Sequence, residues 1–350
     1  MYNIFPSFLD WIPGPHHRIF RNFQKLQAFI SEEIKKHKES RQPEEPRNFI
    51  DFFLGQMEKE KQDPGSHFYE ETLVMTTHNL FFGGTETTST TIHYGLLILL
   101  KYPSVAEKIQ EEIDSVVGRE RPPCLQDRDH LPYTNAVIHE IQRFISVVPM
   151  GLPHVLTQDT HFRGHFLLKG TTIIPLLISA HRDPAHFKDP ENFNPNNFLD
   201  DEGNFQNNEA FMPFALGKRI CLGAGLARME IFLFLTTILQ RFTLHSVKRP
   251  EELDLSPKST GLGNVSPPYE LYLKVPGPSR DSSHPTPPTP CPGPPNLGQK
   301  AHSVELRGWG EGPWRKLRNW ATLGAPLPLQ VSKKTPLWFL GPPPFKSQIP

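Results

Sequence analysis

The sequence predicts a mainly α protein with a minor β component, and three observations carry that reading. From Ile19 to Lys38 the apolar residues Ile19, Phe20, Phe23, Leu26, Phe29, Ile30 and Ile34 recur at helical spacing, which describes an amphipathic helix with a charged end. Between Glu71 and Lys101 the only formally charged residue is Glu86 and no proline interrupts, so residues 70–102 read as one long helix. The β-like pieces, in contrast, are short and broken by turn pairs such as Arg163-Gly164 and Lys169-Gly170.

At 350 residues the chain has material for one large domain or two ordinary ones. Lysine plus arginine equals aspartate plus glutamate at 37 each, so no global charge argues for a nucleic-acid partner. Cys124, Cys221 and Cys291 are too few and too scattered for a disulfide framework and form no CxxC pair, which points to a reducing compartment. The start, Met1-Tyr2-Asn3-Ile4-Phe5-Pro6, lacks the basic opening and apolar run of a signal peptide. Of the 38 prolines, 17 fall in residues 276–350, which divides the chain into a folded part, 1–275, and a Pro-rich tail expected to be disordered. There is no internal repeat.

In chain order, Phe5, Phe8, Trp11, Pro13, Gly14 and Pro15 form an aromatic cluster suited either to a membrane interface or to packing on the core. The helix of residues 19–38 is followed by the charged, proline-broken loop Glu39–Arg47. Residues 70–102 have the length of a membrane span, but the threonines, two glycines and Glu86 are costly in lipid, so a buried central helix is expected. Pro103-Ser104 is expected to stop it and cap the next helix, Val105–Val117. A further helix, Asn135–Ile145, is expected to end by Pro149. Short β pieces follow at His154–Gln158, around Phe162, at Phe166–Leu168 and at Thr171–Leu177. Residues 181–213 read as an aromatic-anchored coil, Ala224–Arg241 as a helix and Thr260–Val275 as a closing hairpin.

The chemistry centres on the loop from Phe214 to Gly223. A lone cysteine is usually a small buried apolar residue, but Cys221 lies between Gly217 and Gly223, whose missing side chains would let a flat partner approach. Lys218 and Arg219 add positive charge, and the helix beginning just after aims its unpaired N–H groups and positive dipole end at the sulfur. Reactive and metal-binding thiolates occupy electropositive settings of this kind. No histidine or acid within the loop could act as a base, which favours a metal ligand over a nucleophile. Phe214, Gly217, Arg219, Cys221 and Gly223 resemble, position by position, the haem-binding signature of the cytochrome P450 monooxygenases, most closely the microsomal drug-metabolising branch called family two. The resemblance implies Cys221 as the proximal ligand of haem iron and Arg219 as partner of a haem propionate.

Three other stretches bear on that resemblance. In Gly83-Gly84-Thr85-Glu86-Thr87-Thr88, two glycines inside a helix cost about 1 kcal/mol each relative to alanine and call for a packing or a functional reason. Threonine hydroxyls that bond back to the preceding turn can open the ladder locally, and an acid beside a hydroxyl can relay protons through water. The segment is similar to the family's oxygen-binding motif, with Thr87 steadying dioxygen, Glu86 helping to deliver protons, and Gly83 standing where alanine is common. Glu140 and Arg143 face each other on one helix, by default a weak solvated pair. The apolar neighbours Ile138, Ile141, Phe144 and Ile145 nevertheless suggest burial, where such a pair needs more partners. It resembles the family's ExxR lock, whose third member falls at Asn197, where arginine or histidine is usual. Val147-Val148-Pro149-Met150-Gly151-Leu152-Pro153-His154 is by default a plain buried strand; in the family it lines the substrate pocket, with His154 reaching a propionate.

By resemblance the fold is the carboxyl-terminal portion of the cytochrome P450 fold and the cofactor is haem b with a thiolate ligand. The activity implied is insertion of one oxygen atom of O2 into a small apolar substrate, xenobiotic or lipid-like, held by Phe82, Gly83, Val147, Val148, Met150 and Leu262. Electrons would come from NADPH through a flavoprotein reductase docking near Lys218 and Arg219, at the cytosolic face of the endoplasmic reticulum membrane. The resemblance begins partway along the family, without counterparts of its anchor, first strands, early helices and tryptophan-arginine haem contact, so a truncated chain is expected. Trp314-Arg315-Lys316-Leu317-Arg318 echoes that contact but follows the cysteine loop, and reads as coincidence. A non-catalytic interaction protein and a reductase-independent isomerase or peroxygenase remain alternatives.

Overall fold

The computed structural model describes residues 11–260 and 263–275. Helix α1 (Pro15–Ser40) starts earlier than the apolar spacing implied, because Pro15 occupies its first turn, where the absent N–H is not needed. Ile30 and Ile34, four residues apart, are its buried stripe. Helix α2 (Phe49–Lys59) is an addition to the expected elements. Its cap Asn48 accepts a hydrogen bond from the Asp51 N–H at 3.2 Å, and the Arg47 guanidinium donates to the buried Asp51 carboxylate at 2.8 Å.

Helix α3 (Glu70–Lys101) has the expected bounds and stays helical through Gly83 and Gly84, so the ladder is not opened there. Its burial is lopsided. Phe81 is 60% exposed, whereas Tyr94 and the run Leu96 to Leu100 are buried, so the expected buried central helix holds only for the second half. The residue types account for this, since threonines, glycines and polar residues dominate up to Thr91 and the apolar block begins later. The described residues divide within α3 into two compact units, one through Gly84 and the other from Thr85. In the first, α1, α2 and the start of α3 enclose Ile30, Ile34, Phe53, Leu54 and Leu73.

In the second unit, α4 (Pro103–Val116) has Pro103 at its first position and Tyr102 as a cap without a side-chain bond, so Ser104 lies inside the helix and does not cap it. Helix α5 (Pro132–Ile145) again starts at a proline and ends at Ser146, whose left-handed φ of 39° stops it before Pro149 is reached. Strands β1 (His154–Val155), β2 (Thr160–Phe162), β3 (His165–Leu167) and β4 (Thr172–Ile173) form two antiparallel ladders. His154 faces Ile173 in one and His161 faces Phe166 in the other. β1 and β4 are shorter than the expected 154–158 and 171–177, whereas β2 and β3 have three residues each and turn, as expected, through Arg163 and Gly164, both at positive φ.

Helix α6 (Leu177–His181) leads into the coil of residues 182–213, which is anchored as expected by Phe187, Phe198 and Phe211 around Ala136. Helix α7 (Ala224–Arg241) packs Ile231, Phe232, Leu235 and Leu239 into the main core with Leu97, Ile98, Ile109, Ile113, Ile138 and Ile141. Gly95 sits at that junction, where a Cβ would lie 3.3 Å from Ile141 Cδ1 and 3.6 Å from the Leu235 methyls. Strand β5 (Thr243–His245) then pairs with β6 (Tyr272–Lys274), and Ser259 bridges to Val265. The expected closing hairpin is therefore corrected: β6 returns to the strand after α7.

Among the described residues no helix is long and apolar enough to cross a membrane. Phe5, Phe8, Gly261, Leu262, the tail 276–350 and Trp314 to Arg318 lie outside the described residues; Trp11 is described and exposed.

Candidate functional site: the cysteine loop and the buried acid–base pair

The loop is shaped by backbone bonds. A 3-10 turn at Gly217–Arg219 is entered with Gly217 at φ 73° and Ala215 at φ 60°. The Cys221 N–H donates to the Phe214 carbonyl at 2.9 Å, and the Cys221 carbonyl accepts the Ala224 N–H at 3.2 Å, where α7 begins. Cys221 is exposed. Around it Leu216, Ile220, Leu222 and Leu226 are exposed too, Leu222 to 89%. A Cβ on Gly217 would meet nothing within 4 Å. Lys218 and Arg219 are exposed on the same loop, and the Arg228 guanidinium lies 5.2 Å from the centroid of the Phe214 ring.

These residues fit a haem group. A soft sulfur donor stands free on a backbone-braced loop, and the apolar residues beside it leave a surface that a flat hydrophobic macrocycle would cover.

On α3, Gly83 and Gly84 are exposed, and among the described residues a Cβ on either would touch nothing within 4 Å. Glu86 and Thr87 are half-buried. The Thr91 hydroxyl donates to the Thr87 carbonyl at 2.8 Å, and the Ser89 hydroxyl donates to the Glu86 carbonyl at 3.2 Å. Back-bonding of this kind was expected of the threonines, and here it leaves the helix intact. Thr88 is buried, and burial pushes the carboxyl of Glu230 on α7 up. The helix of the glycine-threonine motif and the helix after the cysteine loop meet further along, where Gly95 lies against Leu235.

Glu140 and Arg143 are fully buried, which corrects the default of a solvated pair. Arg143 Nε and Nη2 each donate to a Glu140 oxygen at 2.7 Å. The remaining guanidinium hydrogens go to the carbonyls of His181 at 2.7 Å, Pro190 at 2.8 Å and Asn192 at 3.1 Å. Glu140 also accepts the Asn194 N–H at 2.8 Å. Burial pushes its carboxyl up, while Arg143, Asn194 and Asn197 oppose that shift. Asn197 Nδ2 stands 3.5 Å from both Glu140 oxygens, at the outer limit of a hydrogen bond, while its own oxygen accepts the Lys188 N–H at 2.8 Å. The uncharged third member is present but weak.

The segment after α5 is irregular, and only His154–Val155 is strand, which corrects the plain-strand default. Val147 and Val148 are half-buried and Met150 is 40% exposed. Gly151 takes φ 60° with its Cα so close to Pro175 that a Cβ would lie 2.9 Å from that carbonyl, so only glycine fits. Asn264 braces this segment from the far end of the chain, donating its amide to the Ile145 and Ser146 carbonyls at 2.9 and 3.0 Å and its N–H to Val147 at 2.8 Å. Phe82 is half-buried in the first unit, and His154 is half-buried in β1. Sequence reasoning passed over His181, which stands in a run of polar residues with no periodic signal.

A family model described as Cytochrome P450 matches residues 1–274. Cytochrome P450 2F2 of Rattus norvegicus is 56% identical over 275 residues, covering 79% of this chain and 56% of that protein. Cytochrome P450 2F1 of Homo sapiens is 55% identical over 274 residues, 78% of this chain and 56% of that one. Cytochrome P450 2B4 of Oryctolagus cuniculus is 52% identical over 271 residues, 77% and 55% respectively. The chain spans about half the length of these relatives.

Proposed function

The chain belongs to the cytochrome P450 family, and from that premise we propose that it holds haem b through the Cys221 thiolate and serves a monooxygenase acting on small apolar organic substrates. The observation that carries the reading is the exposed Cys221 sulfur among exposed apolar residues at the start of α7. When bound, haem supplies the redox chemistry that activates O2, and a thiolate ligand favours O–O cleavage over the oxygen storage typical of a neutral histidine ligand.

The chain's own residues do the rest. The backbone bonds to Phe214 and from Ala224 fix the backbone of Cys221 in the loop. Arg219 and His154 would hold the propionates. Gly83 and Gly84 leave backbone open to a flat group, and Glu86 with Thr87 would hold and pass protons. Val147, Val148 and Met150 would orient an apolar substrate. Lys218 and Arg219 offer the charge on which an NADPH-dependent flavoprotein reductase docks, at the cytosolic face of the endoplasmic reticulum membrane.

The test is the difference spectrum of the reduced protein, supplied with haem, with and without carbon monoxide. A thiolate-type Soret band that disappears in Cys221→Ser is expected. Its absence from the unsubstituted chain overturns the reading in favour of a non-catalytic interaction protein.

A further inference from the structure

Between the buried pair and the cysteine loop lies His181, the last residue of α6 and 1% exposed. Its carbonyl accepts the Arg143 Nη1 hydrogen at 2.7 Å. Its Nε2 stands 3.1 Å from the Met212 N–H, and its Nδ1 stands 2.8 Å from Ser146 Oγ. Ser146 Oγ in turn donates to the Arg143 carbonyl at 2.9 Å. A backbone N–H only donates, so Nε2 must carry the lone pair. A neutral imidazole has one donor and one acceptor, so Nδ1 bears the proton and gives it to Ser146. Each polar group then has its partner, and only one tautomer closes the circuit.

Two further features hold this arrangement. Ser146 keeps a left-handed φ of 39°, a conformation costly for a residue with a side chain, under the Asn264 amide that binds its carbonyl at 3.0 Å. The Phe211 ring stacks on the imidazole with centroids 5.9 Å apart. Beyond Met212 the tie continues toward the sulfur: the Met212 carbonyl accepts the Ala215 N–H at 3.0 Å, and the Phe214 carbonyl accepts the Cys221 N–H at 2.9 Å. The charged groups facing the ring are Arg143 and Arg182, with Glu140 and Glu191 as their partners. Burial and both arginines oppose a second proton on the imidazole.

We propose that His181 is the positioning residue of the cysteine loop, its neutral Nδ1–H tautomer tying Met212 to the Ser146 cap and to Arg143 of the buried pair. The placement of Cys221 is then set by the buried pair as well as by the loop itself. The consequence for haem rests on the haem-thiolate reading above; the hydrogen-bond circuit does not.

Substitutions separate the two arms. H181Q keeps an acceptor toward Met212 and loses the donor toward Ser146, H181N does the reverse, and H181F keeps only the ring. In the full chain supplied with haem, amide exchange at Met212 is expected to stay near the unsubstituted rate in H181Q. In H181N and H181F it is expected to rise about tenfold, the size of one lost buried hydrogen bond. The thiolate-type Soret band of the reduced carbon monoxide complex is expected to survive in H181Q and to shrink in the other two. Equal Met212 exchange in H181Q and H181N overturns the proposal. Nitrogen NMR of the unsubstituted chain reads the tautomer without any variant, and an Nε2–H imidazole at His181 overturns it as well. If the unsubstituted chain shows no thiolate-type band, the haem-thiolate reading fails, while exchange and tautomer still judge the circuit.

Discussion

Arg143 is worth most where it is least exposed. With no water to fall back on, its five N–H groups are satisfied by Glu140 and three carbonyls. Replacing it by alanine leaves a buried carboxylate without its cation, and Arg143→Ala is expected to lose about 3–5 kcal/mol of unfolding free energy. Arg143→Lys, which keeps the charge but not the planar fork, should fall between the two. Urea denaturation checks the order; a lysine variant as stable as the parent would contradict it. Two buried histidines add a pH term. Burial holds His139 down to about 4, with Arg128 and Arg228 adding to the shift and the Asn135 carbonyl opposing it, and His181 is likewise at about 4. Both lie below the ordinary 6.5, so the unfolded chain binds more protons and stability falls as pH drops from about 6.5 toward about 4. Each contributes up to about 3 kcal/mol. Glu140, raised by burial, acts in the opposite sense. The histidine share is therefore read as the difference between the parent and His139→Phe across that range; parallel pH profiles would rule it out.

Helix α3 contains three glycines in two different settings. Among the described residues a Cβ on Gly84 meets nothing within 4 Å, so Gly84→Ala should stabilise the chain without cofactor by about 1 kcal/mol through helix propensity alone, with Gly83→Ala as its neighbouring comparison. At Gly95 the same gain is opposed by the Ile141 methyl 3.3 Å away, and overpacking costs about 1–3 kcal/mol. Gly95→Ala is thus expected to be neutral or destabilising. Thermal unfolding of the three variants checks this, and a stabilised Gly95→Ala would show that Ile141 yields freely. The same helix shows what local pattern conveys. Its bounds were legible from about thirty residues without a proline and with Glu86 as the one formal charge between Glu71 and Lys101, whereas its half-burial was not, because the length and low charge of the whole stretch outweighed the late start of the apolar block. Helix α2 was hidden because its eleven residues sit between proline-rich and charged loops and carry too few turns for a period to stand out. Ser104 looked like a cap because serine before an apolar run usually is one, but Pro103 had already taken the first helical position.

At the scale of the molecule, the exposed loop holding Cys221 before α7 was legible because Gly217 and Gly223 punctuate the chain just ahead of an apolar run, and the burial of Glu140 and Arg143 because their neighbours Ile138 and Ile141 are apolar. The carbonyls that complete the pair belong to His181, Pro190 and Asn192, 38 to 49 residues further on, and backbone orientation at such separation leaves no local trace. A separation of 27 to 31 residues likewise hid the pairing of β6 with β5. Long-range packing also distinguishes the two units. Among the described residues the first buries Ile30, Ile34, Phe53, Leu54 and Leu73 in its core, whereas the main cluster of the second draws on α3, α4, α5, α7 and the strands after it. Opening free energy follows buried apolar contact and falls where a segment has little of it. Native-state hydrogen exchange along α3 is therefore expected to be graded within one continuous helix. Amides before Gly84 should exchange through local opening at low free energy, and those from Tyr94 to Leu100 only through global unfolding. Uniform protection from Leu73 to Leu100 would mean that the helix, and not the core beneath its second half, sets the stability of both units.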